Sequence, residues 1–131
     1  MVDEVSQIHH EMIREALLLT GVSHGIEVTT MGDIPSEGSG LGSSSTVTVG
    51  ALHALHTYLS NSVTMEQLAR EACDIEIGRL GKPIGIQDQY IAAYGNLRFF
   101  EFCPNGQVKV EKVILDTDLR RELNDRFMLF F

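Results

Sequence analysis

The residues best placed to do chemistry here are small ones. The stretch Pro35-Ser36-Glu37-Gly38-Ser39-Gly40-Leu41-Gly42-Ser43-Ser44-Ser45-Thr46 carries almost no bulky side chain. A strand-like pattern precedes it and a helix-like pattern follows. That layout suits an anion. The first N–H groups of a helix have no intrahelical partner, and the helix dipole adds roughly half a positive charge at that end. Glycines let the backbone approach phosphate oxygens with no Cβ in the way. Serine hydroxyls can donate to the same oxygens or join the oxygen shell of a Mg²⁺ ion.

Three kinds of phosphate loop are distinguishable by spacing. A Walker A loop needs Gly-x-x-x-x-Gly-Lys-Ser/Thr, and no lysine follows Gly42. A dinucleotide fingerprint needs Gly-x-Gly-x-x-Gly with a strand after the helix. Gly38, Gly40 and Gly42 have the wrong spacing, and a second helix pattern follows instead. A merely flexible linker would not hold Leu41 among its glycines or run directly into a helix. The third kind fits: Pro35 followed by Gly38-Ser39-Gly40-Leu41-Gly42-Ser43-Ser44-Ser45 resembles the nucleotide-phosphate loop of the GHMP kinases, the family of galactokinase, homoserine kinase, mevalonate kinase and phosphomevalonate kinase. One extra residue separates Pro35 from the glycines relative to the common family spacing. A second motif adds to the resemblance. Asp74-Ile75-Glu76, then Gly81-Lys82-Pro83-Ile84-Gly85-Ile86-Gln87-Asp88-Gln89-Tyr90, contains Gly-x-x-Asp-Gln at the position of the acidic motif in the sugar-kinase branch, the galactokinases and heptose-phosphate kinases.

The resemblance implies an enzyme that moves the γ-phosphoryl of ATP onto a sugar or sugar-phosphate hydroxyl, with D-glycero-D-manno-heptose 7-phosphate the first acceptor and galactose- or fucose-type sugars the alternatives. Phosphoryl transfer asks for positioning and charge neutralisation more than covalent help. A carboxylate beside the acceptor hydroxyl can orient it and take its proton. By resemblance Asp88 has that role, Ser44 and Glu76 hold Mg²⁺, and Gly38, Ser39, Gly40, Leu41, Gly42, Ser43, Ser44 and Ser45 bind ATP. Read as residues alone, Glu76 is equally a solvated helix residue and Asp88 a helix N-cap. Lys82 reads as a solvated lysine rather than a phosphate contact, and Gln87, Gln89 and Tyr90 are candidates to line the sugar site. The family also has an N-terminal strand motif that would precede Met1 and a C-terminal domain that would follow Phe131. The expectation is therefore a partial N-terminal ATP-binding domain over 1–131, inactive alone. Competing expectations are a nucleotide-binding module without catalysis and a remnant that aggregates.

The elements that must position these residues follow from periodicity. Val5, Ile8, Met12, Ala16 and Leu19 predict a helix over about 3–20, stopped by Gly21. Alternation over 26–31 predicts a strand. The spacing predicts a helix over 43–60, whose Thr46-Val47-Thr48-Val49-Gly50 start is a poor helix former; small residues there suit close packing on a sheet. Thr64 and Gln67 form a capping box for a helix to about Leu80, ended by Gly81. Lys82-Pro83 is extended, and a short helix covers 87–93. Pro104-Asn105-Gly106 turns a hairpin of 97–102 with 107–115, a helix covers 116–125, and 127–131 is a buried-type strand. The implied class is α/β (α+β), with helices packed on a mixed sheet and, by resemblance alone, a left-handed β-α-β crossover.

Composition fits. Hydrophobic residues make up 44% and charged residues 21% of 131 residues, an ordinary globular balance and enough for one core. The net charge of −8 speaks against nucleic acid or anionic membrane as partner, and no apolar run approaches the roughly 20 residues of a membrane span. The acidic N-terminus is unlike a signal peptide. Cys73 and Cys103 are expected reduced in a cytoplasmic chain, and His53 and His56, with no third ligand nearby in sequence, as ordinary helix histidines.

Overall fold

The computed structural model describes residues 4–32 and 40–128. The chain divides into two compact units, Met1–Tyr94 and Gly95–Phe131. The loop positions Gly38 and Ser39 and the end of the expected strand at 127–131 lie outside the described residues; Phe127 and Met128 are not in a strand.

The first unit is helical. A 3₁₀ turn, Val5–Gln7, precedes α1 (Glu11–Thr20), so the expected long first helix is broken. His10 caps α1, its side chain accepting from the Ile13 N–H at 3.5 Å. The late start moves the buried face: Ile13, Ala16 and Leu17 enter the core, while Met12 and Leu19 sit at its margin. Gly21 closes the helix in the left-handed region at φ 76°, as a C′ glycine does.

α2 (Ser43–Tyr58) starts where its sequence predicts. It packs on helices rather than on a sheet: α1, α3 (Met65–Cys73) and α4 (Gln87–Tyr94) all contact it. Its small residues serve that packing, with Ser45 and Thr48 buried beside Val49, Leu52 and Leu55. Thr64 caps α3, its Oγ1 accepting from the Gln67 N–H at 3.1 Å. The reciprocal half of the capping box is not made; the Gln67 amide nitrogen donates to Glu71 Oε1 at 2.8 Å. α3 then widens into a π-helical stretch, Asp74–Arg79, a feature that periodicity does not show. The core joins Ile13, Ala16, Leu17, Val49, Leu52, Leu55, Leu68, Ala72 and Ile75.

The expected strand at 26–31 is not formed: the segment belongs to no sheet, and Val28 and Thr30 are exposed. Among the described residues the only sheet is the two-stranded antiparallel one of the second unit, so the mixed sheet and β-α-β crossover are not formed within them. There β1 (Arg98–Phe102) pairs with β2 (Val108–Lys112), Phe100 facing Val110, across the predicted turn with Gly106 at φ 80°. α5 (Thr117–Asp125) follows, its first turn capped by Asp116 Oδ1 accepting from Leu119 N–H at 2.8 Å.

Candidate functional site

The glycine loop reaches α2 through two left-handed residues, Gly40 at φ 64° and Gly42 at φ 69°. Gly42 is the N-cap and offers no side chain to the helix amides. Thr46 instead returns its Oγ1 to the Gly42 carbonyl at 3.0 Å. Gly42 itself thus makes no side-chain cap at the start of α2, and a helix start of this kind favours an anion.

Behind it lies a carboxyl group. Glu76, in the π-helical stretch, has no exposed surface. The wide turn lets two successive residues go fully inside: Ile75 enters the apolar core and Glu76 meets α2. Ser44 Oγ and Ser45 Oγ each stand 3.2 Å from Glu76 Oε2. Ser44 Oγ is also 3.0 Å from Met12 Sδ, but it has one proton, and a carboxylate is a better acceptor than a thioether. Glu76 Oε1 is buried with no hydrogen-bond partner. Ser45 is itself buried. With the Gln89 amide oriented so that its nitrogen meets carbonyls, that nitrogen donates to Gly85 O at 3.1 Å and Ile86 O at 3.3 Å, and its oxygen stands 3.2 Å from Ser45 Oγ, whose single proton it shares with Glu76 Oε2. Gln89 thus ties the acidic motif to the start of α2.

Asp88 lies in the first turn of α4, one residue inside it rather than capping it, and its side chain is exposed. It faces the loop: a methyl group built on Gly42 would come 3.7 Å from Asp88 Cγ and 3.9 Å from Oδ2. Of the expected sugar-site residues, Gln87 is exposed while Gln89 and Tyr90 are inside. Tyr90 donates to Glu66 Oε1 at 3.0 Å. Burial, and then the neighbouring Glu66, push the Tyr90 hydroxyl up to about 12.

Lys82 is not the solvated lysine its sequence suggests. Its side chain is only 25% exposed, and its ammonium lies 3.4 Å from Glu11 and donates to Ser44 Oγ at 3.3 Å. The signal was its position one residue after Gly81, whose φ of 62° turns the chain back on the π-helical stretch. Cys73, one helical turn before Glu76, has its thiol raised to about 11 by burial and then by the charges of Glu76 and Glu66, which disfavours the nucleophilic thiolate at neutral pH. Both cysteines are free. His56 is a buried packing histidine bonded to Glu71 at 2.7 Å. No helix among the described residues is long and apolar enough to cross a membrane.

A serine hydroxyl and a carboxylate form a hard-oxygen pair that fits Mg²⁺. The unpartnered Glu76 Oε1 is the observation in favour, since a buried carboxylate oxygen lacking a donor is relieved by a cation.

Known proteins resemble this chain. The family model described as GHMP kinases N terminal domain matches residues 5–96. The D-glycero-alpha-D-manno-heptose 7-phosphate kinase of Campylobacter jejuni is 39% identical over 102 residues, covering 78% of this chain and 30% of that protein. A galactokinase of Clostridium perfringens is 26% identical over 114 residues, covering 79% of this chain and 29% of that protein. The crystal structure of a D-glycero-D-manno-heptose 1-phosphate kinase from Bacteroides thetaiotaomicron superposes with a TM-score of 0.82 at 32% identity, over 92% of this chain and 42% of that one. The chain thus spans less than half the length of these relatives. With the family model covering most of its length, and the glycine loop and acidic motif meeting at one helix start, the chain belongs to the GHMP kinase family, in its N-terminal domain.

Proposed function

We propose that this chain is the nucleotide-binding part of an ATP-dependent sugar kinase whose acceptor is a heptose phosphate. The observation that carries the reading is the meeting of Ser44 and Glu76, 32 residues apart, at the start of α2, with the Asp88 carboxyl group beside Gly42. In this reading the loop from Gly38 to Ser45 takes the phosphates of ATP. Ser44 and Glu76 hold Mg²⁺, which supplies charge neutralisation on the phosphate oxygens when bound; phosphates and water complete its shell, as Mg²⁺ prefers. Asp88 orients the acceptor hydroxyl and takes its proton as the oxygen attacks. Gln89 holds the Asp88 segment against α2, so the base keeps its distance from the loop.

Heptose is favoured over galactose by the higher identity to a heptose-phosphate kinase, 39% against 26%. The relatives named for heptose differ in the phosphate they name, and the 7-phosphate is proposed on the closer of the two identities. The test is phosphoryl transfer from ATP to D-glycero-D-manno-heptose 7-phosphate by the full-length protein. Asp88→Asn is expected to lower kcat by about 10²–10⁴-fold, the usual worth of a general base, while ATP binding stays within about threefold, since uniform binding is untouched. Unchanged turnover in the variant would remove Asp88 from the mechanism.

A further inference from the structure

The Lys82 ammonium is in an electrostatically odd place. It is hydrogen-bonded to Ser44 in the first turn of α2. A helix start carries partial positive charge and favours anions over cations. The backbone explains how the residue is held there. After the π-helical stretch the Lys82 N–H donates to the Glu76 carbonyl at 2.9 Å, so the residue is pinned to the same turn that supplies the buried carboxyl group. Its side chain then has a short reach to α2 and to Glu11 on α1, 3.4 Å away.

A cation and a helix start oppose each other when alone, and both attract a phosphate placed between them. Beside them the fully buried Glu76 has Oε1 unpartnered, an acceptor that suits the Mg²⁺ carried by nucleotide phosphates. Building on the nucleotide reading of the loop, we propose that Lys82 is a ligand of the terminal phosphates of the bound nucleotide, and that Glu11 holds its ammonium in the empty site. On nucleotide arrival the ammonium exchanges the exposed Glu11 carboxylate, a weak surface partner, for phosphate oxygens. No proton or covalent bond changes hands.

The test is calorimetric binding of ATP, ADP and AMP, each with Mg²⁺, to the full-length protein, with folding of every variant checked by circular dichroism. Lys82→Met is expected to weaken ATP and ADP by about tenfold or more, the scale of a lost charge-assisted hydrogen bond, and AMP by much less. Lys82→Arg keeps the charge and is expected to bind ATP within about threefold of wild type. Glu11→Gln is expected to tighten ATP by a few-fold, and to do nothing when Lys82 is already methionine, as a double-mutant cycle requires. If wild type binds ATP and Lys82→Met binds it equally, the Lys82 assignment is wrong and the loop reading stands. Equal losses for ATP and AMP, or for the Met and Arg variants, also overturn it. If the wild-type full-length protein binds no ATP, the reading of the site falls and this one with it.

Discussion

A buried carboxylate oxygen without a donor costs about 1–3 kcal/mol or more, and Glu76 Oε1 is such an oxygen. Glu76→Gln separates its part in the fold from its proposed part in holding Mg²⁺. The amide oxygen can still accept from Ser44 and Ser45, so the fold is expected to survive with little change in melting temperature. The gain in ATP affinity that Mg²⁺ confers is expected to fall by about 10- to 100-fold. Titrating ATP into wild type and variant at several Mg²⁺ concentrations decides it, and an unchanged metal dependence would place the ion elsewhere. The acidic motif was legible in sequence because its residue types and spacing are local. That Glu76 is fully inside was not, because burial depends on a π-helical turn whose hydrogen bonds leave no trace in hydrophobic periodicity. Lys82 was misread for a similar reason: its partners, Ser44 and Glu11, are distant in sequence.

Between elements, α3 and α4 are clamped by one carboxylate. Glu66 accepts from Arg70 at 2.6 Å, Tyr90 at 3.0 Å and Tyr94 at 3.2 Å, and the two tyrosine rings stack with centroids 6.2 Å apart. Burial acts to raise the Glu66 carboxyl, but the hydrogen bonds from Arg70, Tyr90 and Tyr94 outweigh it and hold the group below its ordinary 4.5. Its contribution to stability is therefore complete above about pH 4.5 and is lost as pH falls through the lower folded value. Tyr90 behaves in the opposite sense. Its hydroxyl is raised from 10.0 to about 12, so the unfolded chain sheds that proton first and stability declines from about pH 10 toward 12. Thermal melts across pH are expected to show both slopes, with Glu66→Gln flattening the acid side and Tyr90→Phe the alkaline side; variants that melt with wild-type slopes would discount the clamp. Elements with local signals were readable: the α2 start from its glycines, α3 from Thr64, the hairpin from Pro104-Asn105-Gly106. The face of α1 and the strand at 26–31 were not, since the first depended on where the helix begins and the second on ladder partners no local pattern supplies.

For the whole molecule, the two units are unequal. Every buried side chain among the described residues, from Ile13 to Tyr90, belongs to the first unit, and segments with few buried apolar contacts open most readily. Ser44, Glu76, Lys82 and Asp88 all belong to the first unit as well. Amides of β1 and β2 are expected to exchange with deuterium well before those of α2. The distribution of basic residues gives this asymmetry a practical edge. No lysine or arginine occurs between Arg14 and Arg70, and the Lys82 peptide bond leads into Pro83, which trypsin does not cleave. Brief trypsin treatment should therefore nick first at Lys109, Lys112, Arg120, Arg121 or Arg126, leaving a resistant piece that mass spectrometry finds still holding the loop and the acidic motif; early cutting at Arg70 or Arg79 would mean the helices open as readily as the hairpin.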